Sequence, residues 1–431
     1  MKFRSALVVV SLLLSLFTSA DHKSINCEGC WQPAPQPIAI NEAFGVNVHF
    51  LDPNPEELRL IADAGFRWIR TDFKWELTER ERGKFDFAIY DRLLNTLDRE
   101  HLRALFILDY GNPLYTSGKS IRTAEAREAF ARWSVAAAKH FHGRGIVWEL
   151  FNEPNNEMFW PPKPDADEYL ALAQTVTASF GQEAPSERLI GPGSAGIDFK
   201  FLEACFKARV PNDWDAVSVH PYRQSAPETV AAEYARLREV IDRKAHGGKE
   251  TNSAETLPIF SGEWGYSSAW RGMDEDRQAT LLARQFLTNI ANGIPLSIWY
   301  DWRDDGADPR AAEDHFGLIR FRSDNAAQSL QPKPAYLAAK TLIANLSGFT
   351  FQERLSVGSD DDYVLVFAKA DERRYAVWTT AATPHRITIP HIDETCDVIP
   401  LTGTRSNSIS PNDHRLLIEL TSSPVYLTRS K

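Results

Sequence analysis

The chain is short of the features that define several common classes. It has four cysteines in 431 residues, Cys27, Cys30, Cys205 and Cys396. Cys27-x-x-Cys30 has no second such pair to complete a zinc site, so a structural zinc is not expected and a bridge near the N-terminus is the better reading. Cys205 lies in a helical pattern over 199–209 and is expected as a buried free thiol. Basic charge is also in deficit: the net charge is −10, and no basic stripe offsets it, which argues against a nucleic-acid partner. No Gly-rich phosphate loop follows the first apolar strand, which disfavours a doubly wound nucleotide-binding sheet. There is no internal repeat and no low-complexity tract. The acidic runs Asp304-Asp305-Gly306-Ala307-Asp308 and Asp360-Asp361-Asp362 lack EF-hand spacing and read as solvated loops, so no metal is expected.

One apolar run stands out at the start. Lys2 and Arg4 precede Ala6–Phe17, and Thr18-Ser19-Ala20 gives a small-residue exit. The pattern is that of a secretory signal over 1–20. The run is shorter than the roughly 20 residues of a membrane span, and no cysteine follows for lipidation. A mature chain outside the cytoplasm, secreted or periplasmic and with no membrane contact once the signal is removed, is the expectation. A Pro-rich extended leader, 21–40, comes next.

What is present is an alternation of short apolar runs with amphipathic stretches. Strands are expected at Phe44–Phe50, Phe66–Phe73, Ala104–Tyr110, Ile146–Asn152, Leu189–Ser194, Ala216–His220, Pro258–Glu263 and Leu296–Tyr300. Helical patterns such as 88–100, 124–142 and 274–292 separate them. Eight strand–helix units predict an α/β fold, a (β/α)8 TIM barrel over 41–347 with its active groups at the C-terminal strand ends. Past Gly348 the pattern changes to short alternating strands at 363–369, 374–379, 386–389 and 416–420, which predicts a small antiparallel β-sandwich over 348–431.

Two strand ends carry the chemistry. Trp148-Glu149-Leu150-Phe151-Asn152-Glu153-Pro154-Asn155 runs apolar and ends in an amide beside a carboxylate; Ile259-Phe260-Ser261-Gly262-Glu263-Trp264-Gly265 delivers a second carboxylate from a distant strand. Paired carboxylates on two strands of one sheet suit glycoside hydrolysis, one as acid/base and one as nucleophile. A lone strand-end glutamate more often caps a helix or pairs with an arginine; two in matching contexts favour chemistry. With Phe159-Trp160 downstream, the first motif resembles those of clan A glycoside hydrolases, family 39 most and family 5 next, over about residues 41–345.

The resemblance implies that Glu153 is the acid/base and Glu263 the nucleophile, that Asn152 binds a sugar hydroxyl, and that Tyr222 bonds the nucleophile with His220 near the acid/base. It also implies that Arg70 orients the nucleophile, against a salt bridge to Asp72 or Glu76 as the plainer alternative. Trp299 is expected as the sugar-stacking indole, Trp160 and Trp264 as outer subsites, and His49, Asp109, Tyr110 and Asn112 as further contacts. The predicted function is a retaining hydrolase of a β-linked oligo- or polysaccharide, without a cofactor. The alternatives are a β-xylosidase-like exo-enzyme, an exopolysaccharide-trimming hydrolase, and a non-catalytic carbohydrate-binding barrel.

Overall fold

The computed structural model describes residues 38–430 except 209, 246–256, 322–329 and 404–406. The proposed signal, the leader up to residue 37 and the Cys27-x-x-Cys30 pair lie outside the described residues. Eight parallel strands close a barrel in chain order. They are β1 (Phe44–Asn47), β2 (Trp68–Lys74), β3 (Arg103–Asp109), β4 (Val147–Leu150), β5 (Arg188–Ala195), β6 (Ala216–His220), β7 (Ile259–Trp264) and β8 (Ser297–Trp299), with β1 paired to both β2 and β8. β3 shows why the sequence takes this form. Its run Ala104–Leu108 is apolar throughout and buried throughout, as a parallel strand covered on both faces requires.

The outer helices are amphipathic and capped. In the helix Ala88–Arg99, Tyr90, Leu93, Leu94 and Leu97 are buried, the i, i+3, i+4, i+7 stripe that faces a core. Thr123 caps the helix Ala124–His140 by accepting from Ala126 N, and Asp274 caps Glu275–Ala291 by accepting from Arg277 N. Each cap satisfies a backbone donor otherwise left open and is worth about 1 kcal/mol. No helix among the described residues is long and apolar enough to cross a membrane.

Several strands stop earlier than their apolar runs. β4 ends at Leu150, because Phe151 (φ +69°) and Glu153 (φ +45°) take left-handed backbone that cannot continue a ladder. Asn152 and Glu153 therefore stand on a tight turn beyond the strand. β1 and β8 likewise end at Asn47 and Trp299, leaving His49 and Tyr300 on the mouth loops. β5 carries an extra residue at Gly193 (φ +59°), and the Gly193 carbonyl accepts from Glu153 N at 2.8 Å. That bond fixes the turn carrying Glu153.

The C-terminal part holds eight antiparallel strands in two sheets. A six-stranded sheet has the order β14-β13-β16-β11-β10-β9, and β12 pairs with β15. Their ranges are β9 (Thr350–Arg354), β10 (Asp362–Lys369), β11 (Glu372–Thr379), β12 (His385–Pro390), β13 (Cys396–Ile399), β14 (Asn407–Ile409), β15 (Arg415–Leu420) and β16 (Val425–Arg429). Val364, Val377, Ile389, Leu416 and Leu427 join the two sheets in one apolar core. Four of these strands, β9, β13, β14 and β16, have no counterpart in the sequence expectation; β14 spans only three residues and β9 is largely exposed, so neither shows a clear alternation.

A polar contact ties this part to the barrel. Arg284 grips Glu228 through Nε and Nη2 at 2.7 and 2.8 Å, and the buried Trp378 indole of β11 donates to Glu228 Oε1 at 2.8 Å. The acidic runs are more structured than solvated loops. Asp304 is buried in an ion pair with Lys333 at 2.8 Å, and Asp362 accepts from Ser359 N. Cys205 and Cys396 are buried free thiols.

Candidate active site

The C-terminal mouth of the barrel gathers three carboxylates around one guanidinium. Arg70 on β2 points into the barrel and is 1% exposed. Its Nε donates to Glu149 Oε2 at 2.7 Å and its Nη1 to Glu263 Oε2 at 2.5 Å; Nη1 also reaches Asn47 Oδ1 at 3.0 Å, and Nη2 reaches Asn152 Oδ1 at 2.9 Å. The fork geometry of arginine permits this fan of contacts, which a lysine cannot reproduce. Burial opposes its charge, but Glu149 and Glu263 outweigh burial and raise the guanidinium further. Arg70 makes the expected contact with Glu263, and its bonds go to the site's own carboxylates and amides. It is therefore placed to position the site's own carboxylates, and no bond goes to Glu76 as the plainer alternative had it.

Glu153 is held from two sides. His220 Nδ1 lies 3.0 Å from Oε1, and Asn156 Nδ2 donates to Oε2 at 2.9 Å. Burial favours the protonated acid, but His220 and then Asn156 outweigh it and lower the Glu153 carboxyl. For His220, burial disfavours charge, yet Glu263, Glu149 and Glu153 raise it to about 9. The pair thus carries a proton at neutral pH, with the imidazole as its resting place. Tyr222 Oη donates to Glu263 Oε1 at 2.8 Å. Oxygens of Glu153 and Glu263 and a nitrogen of His220 all lie within 4.8 Å of one another.

Tyr222→Phe is expected to lower kcat/KM about 10- to 100-fold with the fold intact. A hydrogen bond to a charged acceptor is worth roughly 1.5–3 kcal/mol. Kinetics beside a thermal melt would check it.

Three expected indoles do not reach the opening. Trp299 is fully buried and donates from Nε1 to Phe316 O at 3.2 Å. The ring at the mouth is Tyr300, one residue on, which packs edge-to-face with His49, Tyr222 and Phe316. A shift of one position along extended chain turns a side chain to the other face, which is why the sequence reading picked the wrong neighbour. Trp160 is also fully buried: its Nε1 donates to Glu168 at 3.1 Å and its ring packs on Phe151 and Tyr169. Trp264 is buried as well. Asn112 ties its loop to the segment that follows β2 by donating to Glu79 O at 2.8 Å. His49 does lie at the mouth, half exposed, with Nε2 3.0 Å from Asp301 Oδ2. Burial opposes its charge, but Asp301 overrides this and raises His49 to about 9. Asp305 joins these two, with donor atoms within 4.8 Å, and the His49–Asp301 ion pair accounts for most of that cluster.

Beside the centre lies a cavity of about 700 Å³ lined by Asp72, Lys74, Glu76, Tyr110, Lys119 and Phe159. Tyr110 and Phe159 stack at 5.9 Å, and Lys119 Nζ sits 5.1 and 4.9 Å from the two ring centroids. Behind it Asp109 is wholly buried against Asp72; burial and that neighbouring charge raise its carboxyl well above the usual range. Burial and Asp72 together thus push Asp109 toward its neutral form. A raised acid favours folding below its unfolded value, about pH 4, and that contribution is lost as pH rises toward the folded value. Asp109→Asn keeps a donor and needs no proton. Its melting temperature should therefore rise relative to wild type between about pH 4 and pH 7, and a constant difference across that range would refute the protonated reading.

Sequence reading gave Glu149 no role, yet it is the third carboxylate of the centre. It is fully buried and accepts from Arg70 and from Ser218 Oγ. Burial alone would raise it, but Arg70, then His220 and Ser218, hold it down at about 2. A charged residue inside the apolar run Val147–Leu150 was the available signal. Asn47, Asn156, Ser218 and Tyr300 were also missed, and small polar residues of this kind give no periodic signature.

The comparisons with known proteins agree with the barrel fold. A family model described as cellulase, glycosyl hydrolase family 5, matches residues 34–305, and the chain belongs to that family. It is a clan A glycoside hydrolase, a carbohydrate-acting enzyme. Among solved structures, a family 39 glycoside hydrolase from Bacteroides cellulosilyticus WH2 is similar at 26% identity, covering 92% of this chain and 83% of that one, with a TM-score of 0.76. A family 39 enzyme from Xanthomonas axonopodis pv. citri aligns at 16% identity over 91% and 94%, with a TM-score of 0.65. A family 39 β-xylosidase from Caulobacter crescentus aligns at 17% over 92% and 97%, also with a TM-score of 0.65. The latter two share the fold. No curated protein matches the sequence.

Proposed function

We propose that the chain is a secreted or periplasmic retaining glycoside hydrolase of a β-linked oligo- or polysaccharide, with Glu153 as acid/base and Glu263 as nucleophile. The observation that carries the reading is the approach of the two glutamates, with oxygens within 4.8 Å. Retaining enzymes hold their carboxyl groups about 5–5.5 Å apart, whereas inverting ones leave about 6.5–9.5 Å for a water. Ionised Glu263 forms a bond to the anomeric carbon as the bond to the leaving oxygen breaks, and Glu153 passes to that oxygen the proton it shares with His220. Water then attacks the same carbon and gives a proton to Glu153, and the bond to Glu263 breaks. Arg70 and Tyr222 aim the nucleophile. Asn152, its Oδ1 tied to Arg70, is placed to meet a sugar hydroxyl, a contact worth most when it tightens in the transition state.

The similarity to a protein described as a β-xylosidase supports a β-linked substrate. The cavity beside the centre supports binding of more than one sugar, with Tyr110 and Phe159 as stacking surfaces. The signal-like first 20 residues support export. The test is to profile products from β-glucans, xylans, galactans and bacterial exopolysaccharides, with the wild-type chain beside Glu263→Ala. Oligosaccharides or monosaccharides released from one glycan with retained configuration, and absent with the variant, would support the reading. Inverted products, or binding without turnover, would overturn it.

A further inference from the structure

The reaction just proposed makes no direct use of Glu149, yet the barrel is built around its carboxylate. A Cβ on Gly262 would stand 3.0 Å from Glu149 Oε1 and 2.2 Å from Ser218 Oγ, and a Cβ on Gly193 would stand 3.2 Å from Oε1. Gly262 has ordinary backbone angles, so the glycine there is a matter of space, not of conformation. Gly193 is also required by its left-handed backbone, but at Gly262 of β7, across the barrel interior, the missing side chain leaves room for Ser218 and for a carboxylate that touches no solvent. Burying a carboxylate is costly, and one kept ionised in this way has a partner that needs its charge.

The partner is the proton of the His220–Glu153 pair. Arg70 Nη2 lies 3.3 Å from His220 Nε2, and at that distance an unopposed guanidinium would drive the proton off the ring. Glu149 sits 2.7 Å from Arg70 Nε and 3.9 Å from His220 Nε2. It cancels the guanidinium as His220 experiences it. Of the other groups that face this cluster, Glu263 also raises His220. Glu263 on β7 shares Arg70 and turns its second oxygen to Tyr222, but its charge is spent when it bonds to the anomeric carbon, whereas that of Glu149 persists through both half-reactions; Ser218 on β6 is neutral. Asp72, farther along β2, is paired with Lys74 and lies beside Asp109 of β3. Tyr169, behind the strand, is an uncharged phenol.

We propose that Glu149 is a positioning residue for the reaction's proton: by neutralising Arg70 beside His220, it keeps the His220–Glu153 pair loaded so that the leaving oxygen meets an acid. The proposal rests on Glu153 being the acid/base. The proton leaves the pair for the leaving oxygen in the first half-reaction and is returned by water in the second, so Glu149 itself exchanges none. The geometry suits an isosteric test. A glutamine at 149 can present its oxygen to Arg70 and its amide nitrogen to Ser218 Oγ, which turns to accept.

The experiment is the pH profile of kcat/KM for Glu149→Gln and Glu149→Asp on the glycan that the product profiling identifies. This substrate has an unactivated leaving group and so needs the acid. The basic limb of Glu149→Gln should move down by roughly one to three pH units, the scale of a close buried charge. Glu149→Asp keeps the charge and should keep the limb at its wild-type pH while losing activity through displaced geometry. Equal losses at every pH in both variants, with an unmoved limb, would overturn the proposal. If Glu149→Gln does not fold, the ring nitrogen shifts of His220 in the wild-type chain decide: titration above pH 8 supports the proposal, and a neutral ring from pH 5 to 9 overturns it. Azide rescue of Glu153→Ala on an activated aryl glycoside separates the two readings. Rescue with an unmoved limb removes only the role of Glu149, and no rescue removes the acid assignment and this role with it.

Discussion

Glu263→Ala should lower turnover by roughly 10⁴-fold or more, the scale seen when a covalent nucleophile is deleted. No other group can take over the attack. Glu149 is walled off behind Arg70, and Glu153 is bonded to His220 and Asn156 on its own side of the site. The variant should fold, because Glu263 retains partial exposure and its removal leaves Arg70 bound to Glu149, Asn47 and Asn152. Single-turnover and steady-state assays beside a thermal melt measure both halves of the expectation. Added azide gives a sharper result. It should enter from the face that Glu263 vacates and yield a glycosyl azide of inverted configuration from an activated aryl glycoside. Activity near the wild-type level in a clean preparation would remove Glu263 from the mechanism.

The second large effect is on stability. Arg70→Met should cost about 3–5 kcal/mol, the penalty for stripping one partner from a buried ion cluster. Glu149 would then be buried with no opposite charge in contact except His220, and Glu263 would keep only Tyr222. Arg70→Lys should recover part of the stability and little of the activity, since a point charge cannot reach Glu149, Glu263 and Asn152 together. Denaturant melts of both variants at neutral pH check this. A loss below about 1 kcal/mol for Arg70→Met would mean that the cluster is held by its neutral hydrogen bonds.

The barrel was legible because strands buried on both faces leave continuous apolar runs, and the helices between them keep a 3.6-residue stripe. Glu153 and Glu263 were legible because each ends such a run. Their immediate partners Arg70, His220 and Tyr222 could be placed by resemblance. Legibility fails where a role depends on backbone geometry. The left-handed turn at Phe151 and Glu153 detaches the acid from β4, and the early end of β8 puts Tyr300 rather than Trp299 at the mouth. A run of letters does not reveal at which residue extended chain stops. Tryptophans were over-read for a related reason: a large ring serves a core as well as a sugar, and here Trp160, Trp264 and Trp299 serve the core. Glu149 was under-read because its partners come from other strands.

The buried join between Arg284, Glu228 and Trp378 bears on how small this enzyme can be made. Glu228 lies in the 3-10 turn Pro227–Val230, a few residues after Tyr222, and one of its oxygens receives the Trp378 indole from the C-terminal sheet. A chain cut after the barrel would expose that acceptor and the apolar surface around it, and would loosen the segment that leads back to Tyr222. The smallest working unit therefore includes β11, and with β11 the sheet that holds it. Fusions and immobilisation tags belong at the exposed hairpins of that sheet, away from the strand that braces the catalytic mouth.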